Sequence, residues 1–307
     1  MSQEHDATII MDEEQARELG KLEALINPFE PPEGNIPLVF NDETNRLNVH
    51  KNKIIHNVKR NIRLQLPQMD CHMPTDRPVA LVAGGWSLNE TFDELRELYF
   101  DGVPLVALNG AGNWLMERNV RPAMQIVMDA REDNLSFVET PIPRCRYFLA
   151  SQCHPSLFEA CKDRETFIFH IRSCGEGSRE EEILNEYYNE KWRHIPGGGT
   201  VGVRSISIMR ILGYQLIHAF GLDSCLSPAG DNHAYKQEFN APDKKILSVW
   251  VGKHKFECSG WHAVQANQFK EYIENHGEHF SLQVHGNGLI AQMMRLGAEA
   301  YRTSEEG

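Results

Sequence analysis

Three consecutive segments between Val79 and Asp133 constrain the fold more than anything else in the chain: VALVAGGWSLNE, PLVALNGAGNWL and PAMQIVMDARED. Each is a short apolar run with strand character that stops abruptly in small and polar residues. The stops are Gly84, Gly85 and Ser87 in the first, Asn109 to Asn113 in the second, and Asp129 to Asp133 in the third. Continuous apolar runs bounded by turn residues are the pattern of parallel strands buried on both faces. Polar residues just past such strands fall where open α/β sheets bind ligands, outside the carboxyl ends. The pattern predicts a nucleotide-type crevice.

From Arg77 onward, strand and helix periods alternate. VALVA, VPLVAL, AMQIVMD, RYFLA, TFIFH and QLIHAFG read as strands. Asn89 to Tyr99, AGNWLMERN and about Val203 to Leu212 read as helices, and SREEEILNEYYNEKW as a solvated helix or lid. After the polar loop AGDNHAYKQ come a hairpin (KILSVWVGKHKFECSG), a helix from Ala263 to Asn275, a strand (FSLQVHG) and a helix from Leu289 to Leu296. This alternation predicts an α/β fold with a mostly parallel sheet flanked by helices.

Residues 1–75 differ. DEEQARELGKLEALI has Ala16, Leu19, Leu22 and Ile26 at helical spacing, and NPFEPPEGNIP then breaks the helix with four prolines and a glycine. A second helical stretch, roughly Asp42 to Leu66, carries Lys51, Lys53, Lys59, Arg60 and Arg63. The division expected is a helical N-terminal extension over 1–75, an α/β domain over 76–300 and a tail over 301–307. The extension would serve packing or oligomerisation.

Composition narrows the classes. No apolar run reaches the ~18 residues of a membrane helix, and the acidic start MSQEHDATIIMDEEQARELG has no secretory pattern. Seven scattered cysteines without a CxxC argue against a disulfide framework or zinc knuckle and fit a reducing cytoplasm. A net charge of −12 disfavours a broad grip on phosphate backbones. A local basic groove around Arg118, Arg121 and Arg131, or around Arg204 and Arg210, stays open.

Several residue groups could carry chemistry. Gly84-Gly85-Trp86-Ser87 lies between a strand and a helix, where bare backbone and a hydroxyl can bond an anion, or where a turn simply needs glycine. Asn109 suits a ribose or base edge, and equally a helix cap. Asp129 at a strand end suits a metal ion or ribose hydroxyls, or again a cap. GGGTVG, Gly197 to Gly202, puts four glycines in six residues before a helix. There Gly199 and Thr200 would cradle a phosphate, with a tight turn as the alternative. His233 (GDNHAY) and His262 (SGWHAV) are candidate general bases, because imidazole titrates close to neutral pH. His218 reads as a sheet-face residue. The metal-like spacings His254/Cys258/His262 and His276/His279 fall on strand and loop, so no dedicated metal site is expected.

In this order the segments resemble the 6-hydroxymethylpterin diphosphokinase (MptE-like) family, which has bacterial and phage members and a distant likeness to bacterial lipooligosaccharide sialyltransferases. That family's G-x-G-P-S-L motif corresponds to Ala83-Gly84-Gly85-Trp86-Ser87-Leu88, with tryptophan in place of proline. Leu108-Asn109-Gly110, Met128-Asp129, Gly198 to Gly202, Gly221-Leu222-Asp223 and His233-Ala234 look like its later motifs, and the resemblance covers about Arg77 to Leu296. It implies a Rossmann-like, GT-A-related fold with a nucleotide donor held between two halves. It also implies a histidine base in the last third, where SGWHAVQANQFKEYI favours His262.

The expected function is therefore a nucleotide-dependent transferase, either a glycosyltransferase using a nucleotide-sugar or a pyrophosphoryl transferase using ATP. Gly84, Gly85, Ser87, Asn109 and Asp223 would hold the nucleotide, Gly199 and Thr200 its phosphates, and Asp129 the donor sugar or a Mg²⁺ ion. The acceptor would be a small molecule or glycan, deprotonated by His262 or His233. A non-catalytic phage-type morphogenetic or binding protein on the same fold is the other class. Transfer onto a nucleic acid, supported by the basic stretch Lys51 to Arg63, is a third.

Overall fold

The computed structural model describes residues 47, 49–236, 246–277 and 280–305, without the side chains of 298–305. The first predicted helix, DEEQARELGKLEALI, and His279 lie outside the described residues.

Seven parallel strands form one sheet: β1 (Thr75–Val82), β2 (Leu105–Leu108), β3 (Met124–Val127), β4 (Arg146–Ala150), β5 (Thr166–Phe169), β6 (Tyr214–Phe220) and β9 (Ser281–Val284). Their order is β5-β4-β3-β2-β1-β6-β9. The chain steps outward from β1 to β5, then returns to place β6 on the other side of β1. That reversal makes the carboxyl ends of β1 and β6 the topological switch point, where such sheets open a ligand crevice. β7 (Ile246–Val251) and β8 (His254–Ser259) form a separate antiparallel hairpin.

Alternating side chains divide the core between two faces. Val79, Leu81, Val106, Leu108, Ile217 and Ala219 pack with Val203, Ile206 and Met209 of α6 (Val201–Ile211). Ala80, Val82, Leu105, Ala107 and Phe220 pack on the opposite face with Leu95 of α2 (Phe92–Phe100) and with Trp114 and Leu115 of α3 (Ala111–Glu117). Strands β2, β3 and the last half of β1 are buried at every position, as an all-parallel sheet covered on both faces requires.

α1 (Lys51–Asn61) is built into the same core through Ile54, Val58 and Ile62, while its lysines and Arg60 face outward. Two buried amides fix its seat. Asn57 Nδ2 donates to Gln152 O at 2.9 Å, and Asn61 Nδ2 to Ser151 O at 2.9 Å and Cys153 O at 2.7 Å, all just past β4. α4 (Pro155–Ala160) follows.

α5 (Arg179–Tyr188), capped by the Ser178 hydroxyl, is more than a solvated lid, because it buries Ile183 and Leu184 in the core. The hairpin, α7 (Gly260–His276) and the start of α8 (Leu289–Glu305) enclose a satellite core of Trp86, Cys225, Val251, Cys258, Ala266 and Leu289. All seven cysteines are free. Among the described residues no helix is long and apolar enough to cross a membrane.

Candidate functional site

At the switch point the β1 turn is clasped by the protein itself. The Ser87 amide donates to Asp223 Oδ2 at 2.8 Å, the Ser87 hydroxyl to Asp223 Oδ1 at 2.5 Å, and the Gly85 amide to Gly221 O at 2.8 Å. A methyl group on Gly85 would collide with the Asp223 carboxylate, so this glycine serves close approach. Ser87 is fully buried and Asp223 4% exposed, and burial pushes the Asp223 carboxyl up from 3.8 to about 6 despite both Ser87 bonds. Gly286 and Gly288 of the β9–α8 loop pack on Ser87 and Asp223. Ser87 and Asp223 thus face each other. Trp86, which stands where the resembling motif has proline, lies in the satellite core.

Gly84 lies beside this clasp, under a strap of the β6–β7 connection. The Ala234 amide donates to Gly84 O at 3.0 Å, Asn89 Nδ2 donates to Ala234 O at 3.0 Å, and His233 bridges Gly85 through the backbone. His233 Cδ2 and the Tyr235 ring cover Gly84, and Tyr235 with Phe137 covers Gly110. Burial lowers the His233 pKa, so its imidazole is neutral at pH 7. Asn109 adopts left-handed backbone (φ 51°) at the end of β2, and its buried Oδ1 has no hydrogen-bond partner. The cap position of α3 is Gly110, with no side-chain cap bond, so Asn109 does not serve as that cap.

The glycine turn before α6 is braced from two sides. Gln268 of α7 accepts the Gly199 amide at 2.8 Å, and a Cβ on Gly198 would strike that side chain. From within, buried Arg204 donates to Ile195 O and, at 2.7 Å, to Gly198 O. Burial lowers the Arg204 pKa to about 10, still far above neutrality, and nearby Glu180 opposes that fall. Thr200 stands at the cap position of α6 without capping it, and its buried Oγ1 has no partner. Gly202 packs against Leu222. Both glycine turns therefore meet the segment Gly221–Asp223.

Other candidates lie apart or are engaged. Asp129 Oδ2 pairs with Arg131 at 2.8 Å. His262 Nδ1 accepts the Ser259 amide at 3.3 Å and the His262 amide donates back to Ser259 Oγ at 3.3 Å, a reciprocal cap on α7. Two arginines of the expected basic groove are engaged as well: Arg118 stacks 3.9 Å over Trp114, and Arg210 lies 4.9 Å over Phe280 and bonds the Tyr272 hydroxyl at 3.3 Å. His218 lies on the sheet face, 3.0 Å from His285, whose other nitrogen meets Glu94 at 2.8 Å. Among the described residues no three His, Cys, Asp or Glu side chains converge as metal ligands.

Sequence reasoning missed Tyr235, Gln268 and the Arg204–Glu180 pair. An aromatic two residues after His233, in the loop that leaves the switch point, was the available signal for Tyr235. A helix glutamine facing a glycine turn has no signal in one sequence.

The model of the family described as 6-hydroxymethylpterin diphosphokinase MptE-like matches residues 52–228. The chain belongs to that family. The match begins inside α1, earlier than the Arg77 start of the resemblance, and ends in the strap region after β6. This MptE-like chain matches no curated protein. A solved MAf glycosyltransferase from Magnetospirillum magneticum AMB-1 shares its fold, with a TM-score of 0.57 at 13% identity over 82% of the chain. The chain spans 41% of the length of that protein. The mostly parallel α/β sheet expected from the strand grammar and the Rossmann-like fold implied by the resemblance are thereby met.

Proposed function

We propose that this protein is a nucleotide-dependent transferase that moves a sugar from a nucleotide-sugar to an acceptor hydroxyl. The observation that carries the reading is the meeting of both glycine turns on Gly221–Asp223 at the switch point, with unpartnered Asn109 Oδ1 and Thr200 Oγ1 beside them. A Rossmann-like sheet binds its ligand at that edge. The first turn of α6 and the Thr200 hydroxyl suit a phosphate leaving group, and Asn109 suits the nucleoside.

Gly85, Ser87 and Asp223 support this edge as a clasp. His233 is the better general base of the two histidines, since it is neutral and lies against Gly84. His262 would have to release the Ser259 amide from Nδ1 to take a proton there. In the step, the acceptor oxygen bonds to the anomeric carbon as its proton passes to His233. The bond from that carbon to the phosphate oxygen breaks, and its electron pair leaves with the nucleotide. Asp129 and Arg131 together would orient donor hydroxyls.

The residues do not fit a resident Mg²⁺ ion: Asp129 is ion-paired with Arg131 and Asp223 is tied to Ser87, so the two carboxylates have separate commitments. This also favours glycosyl transfer over pyrophosphoryl transfer from ATP, which usually relies on Mg²⁺ held by carboxylates.

Incubation with UDP-, GDP- and CMP-sugars or with ATP, read by mass spectrometry, tests the reading. Release of a nucleoside mono- or diphosphate from a nucleotide-sugar is expected. AMP from ATP would instead establish the diphosphokinase alternative, and no turnover with no thermal shift for any donor would favour a binding protein.

A further inference from the structure

From Lys51 to Met69 the chain has no acidic residue, although its net charge is −12. Lys51, Lys53, Lys59 and Arg60 of α1 are exposed, as is Arg63 in the 3-10 turn that continues it (Ile62–Leu64). At 1.5 Å per residue the five cations span about 18 Å. Helical spacing puts Lys53, Lys59, Arg60 and Arg63 on one side, opposite the core residues Ile54, Val58 and Ile62. Among the described residues none of the five has an ion-pair partner. The helices packed on α1 leave it charged, because their own acids are committed. Glu159 of α4 pairs with Lys162 at 2.7 Å; in α5, Glu181 pairs with Arg172 at 2.7 Å, and Glu182 and Glu186 pair with Arg179 at 2.7 and 3.4 Å. Glu180 is buried and accepts the Cys174 amide at 2.8 Å. Asn57 seats the helix just past β3 and β4, donating to Ala130 O at 3.4 Å and to Gln152 O at 2.9 Å. In this all-parallel sheet that is the edge to which the turn after β1 belongs.

We infer that the outer face of α1 docks the phosphate backbone of a nucleic-acid duplex, which presents the acceptor hydroxyl. The docking stands on the ridge itself, and only the acceptor role rests on the transferase reading above. A duplex carries one negative charge per ~1.7 Å of its axis, so a straight row of unpaired cations meets several phosphates at once. No aromatic ring stands among the five cations to stack unpaired bases, which favours a duplex over a single strand. Contacts of this kind position a duplex without reading its sequence. A protein partner would need aromatic or apolar anchors, and between Lys53 and Arg63 no large apolar side chain is exposed. The apolar face of α1 is spent on the core, so it has nothing to insert into a lipid surface.

The test is fluorescence anisotropy of the full chain with a labelled duplex of arbitrary sequence, from about 50 to about 200 mM salt. The logarithm of affinity should fall against that of salt with a slope of about −4, from about −0.9 per phosphate contact. Lys53→Gln/Lys59→Gln/Arg60→Gln should bind at least about ten-fold more weakly at the low salt, with the slope reduced to about −2. Lys191→Gln/Lys253→Gln/Lys255→Gln changes the net charge equally at exposed positions elsewhere, and should stay within about three-fold of the wild type. No duplex binding by the wild type overturns the docking, as does an equal loss in both triple variants. Binding to phosphatidylserine vesicles but not to the duplex overturns it in favour of a lipid surface. Duplex binding without turnover of any nucleotide-sugar keeps the docking and fails the transferase reading, and turnover without duplex binding does the reverse. Sugar mass on the duplex supports the acceptor role, and a duplex left unmodified while the donor turns over removes that role.

Discussion

The two glycine turns look alike in sequence and are held by opposite chemistry. The turn after β1 is closed by a buried anion: Asp223 accepts both donors of Ser87. The turn before α6 is closed by neutral and cationic donors and acceptors, Gln268 outside and Arg204 inside. The first satisfies both the amide and the hydroxyl of Ser87, whereas the second keeps Thr200 Oγ1 unpartnered at a helix N-terminus. Glycine density thus reports close backbone approach, and the residue that approaches decides whether a turn is a clasp or a cradle. In this molecule the first is a clasp, and the second is the cradle of the proposed reading.

The largest effect that can break this contrast is removal of the clasp. Asp223→Ala strands two buried donors on Ser87, and urea unfolding should show a loss of about 4 kcal/mol. A loss below about 1 kcal/mol would mean that the clasp is incidental.

The second prediction is a difference in the sign of pH dependence. Asp223 has its folded pKa raised from 3.8 to about 6, so its contribution is present below pH 4 and is lost as pH rises through 6. His170 behaves in the opposite sense. It is 1% exposed, neither ring nitrogen has a partner, and burial lowers its pKa from 6.5 to about 4. It pairs through the backbone with His194, whose pKa also falls to about 4, by burial first and then by Arg204 and Arg172. The support of the second turn is therefore intact above pH 6.5 and weakens as pH falls toward 4. Comparing stability at pH 7 and pH 4, Asp223→Asn should remove about 3 kcal/mol of the slope that favours low pH. His170→Phe should remove about 3 kcal/mol of the slope that favours neutral pH. Slopes of the same sign would refute the contrast.

A smaller effect should follow from Gln268→Ala, which releases the Gly199 amide and should cost about 1 kcal/mol in the same unfolding assay. Smallest for stability is Thr200→Val. Replacing an unpartnered hydroxyl by a methyl should shift stability by less than about 0.5 kcal/mol, yet donor affinity should fall several-fold in calorimetry. Equal affinity would remove Thr200 from the phosphate site.

The sheet was legible because burial on both faces leaves an unmistakable record: RYFLA and β4 coincide, and VPLVAL, AMQIVMD and TFIFH contain β2, β3 and β5. The starts of α2, α3, α5, α6, α7 and α8 followed from apolar spacing to within a few residues, whereas α8 runs to Glu305, nine residues beyond its expected end. α4 was missed, since PSLFEA is a six-residue helix, too short for a period to show. The candidate site was legible only as a placement of residues along the sheet edge. Gly84, Asn109, Thr200 and His233 stand along the expected edge, whereas the mutual bonding of Ser87 with Asp223, 136 positions apart, depends on a crossover that no local pattern encodes. The cap formed by His262 was hidden for a related reason. SGWH reads as a polar turn until α7 is known to begin at Gly260.

The most direct test is a crystal structure of the full chain with a nucleotide-sugar bound. The account predicts phosphates against the first turn of α6 at Thr200, the base beside Gly84 and Gly110, and an unbroken Ser87–Asp223 clasp. A nucleotide ordered against the β7–β8 hairpin or the outer face of α1, with the switch point empty, would contradict it.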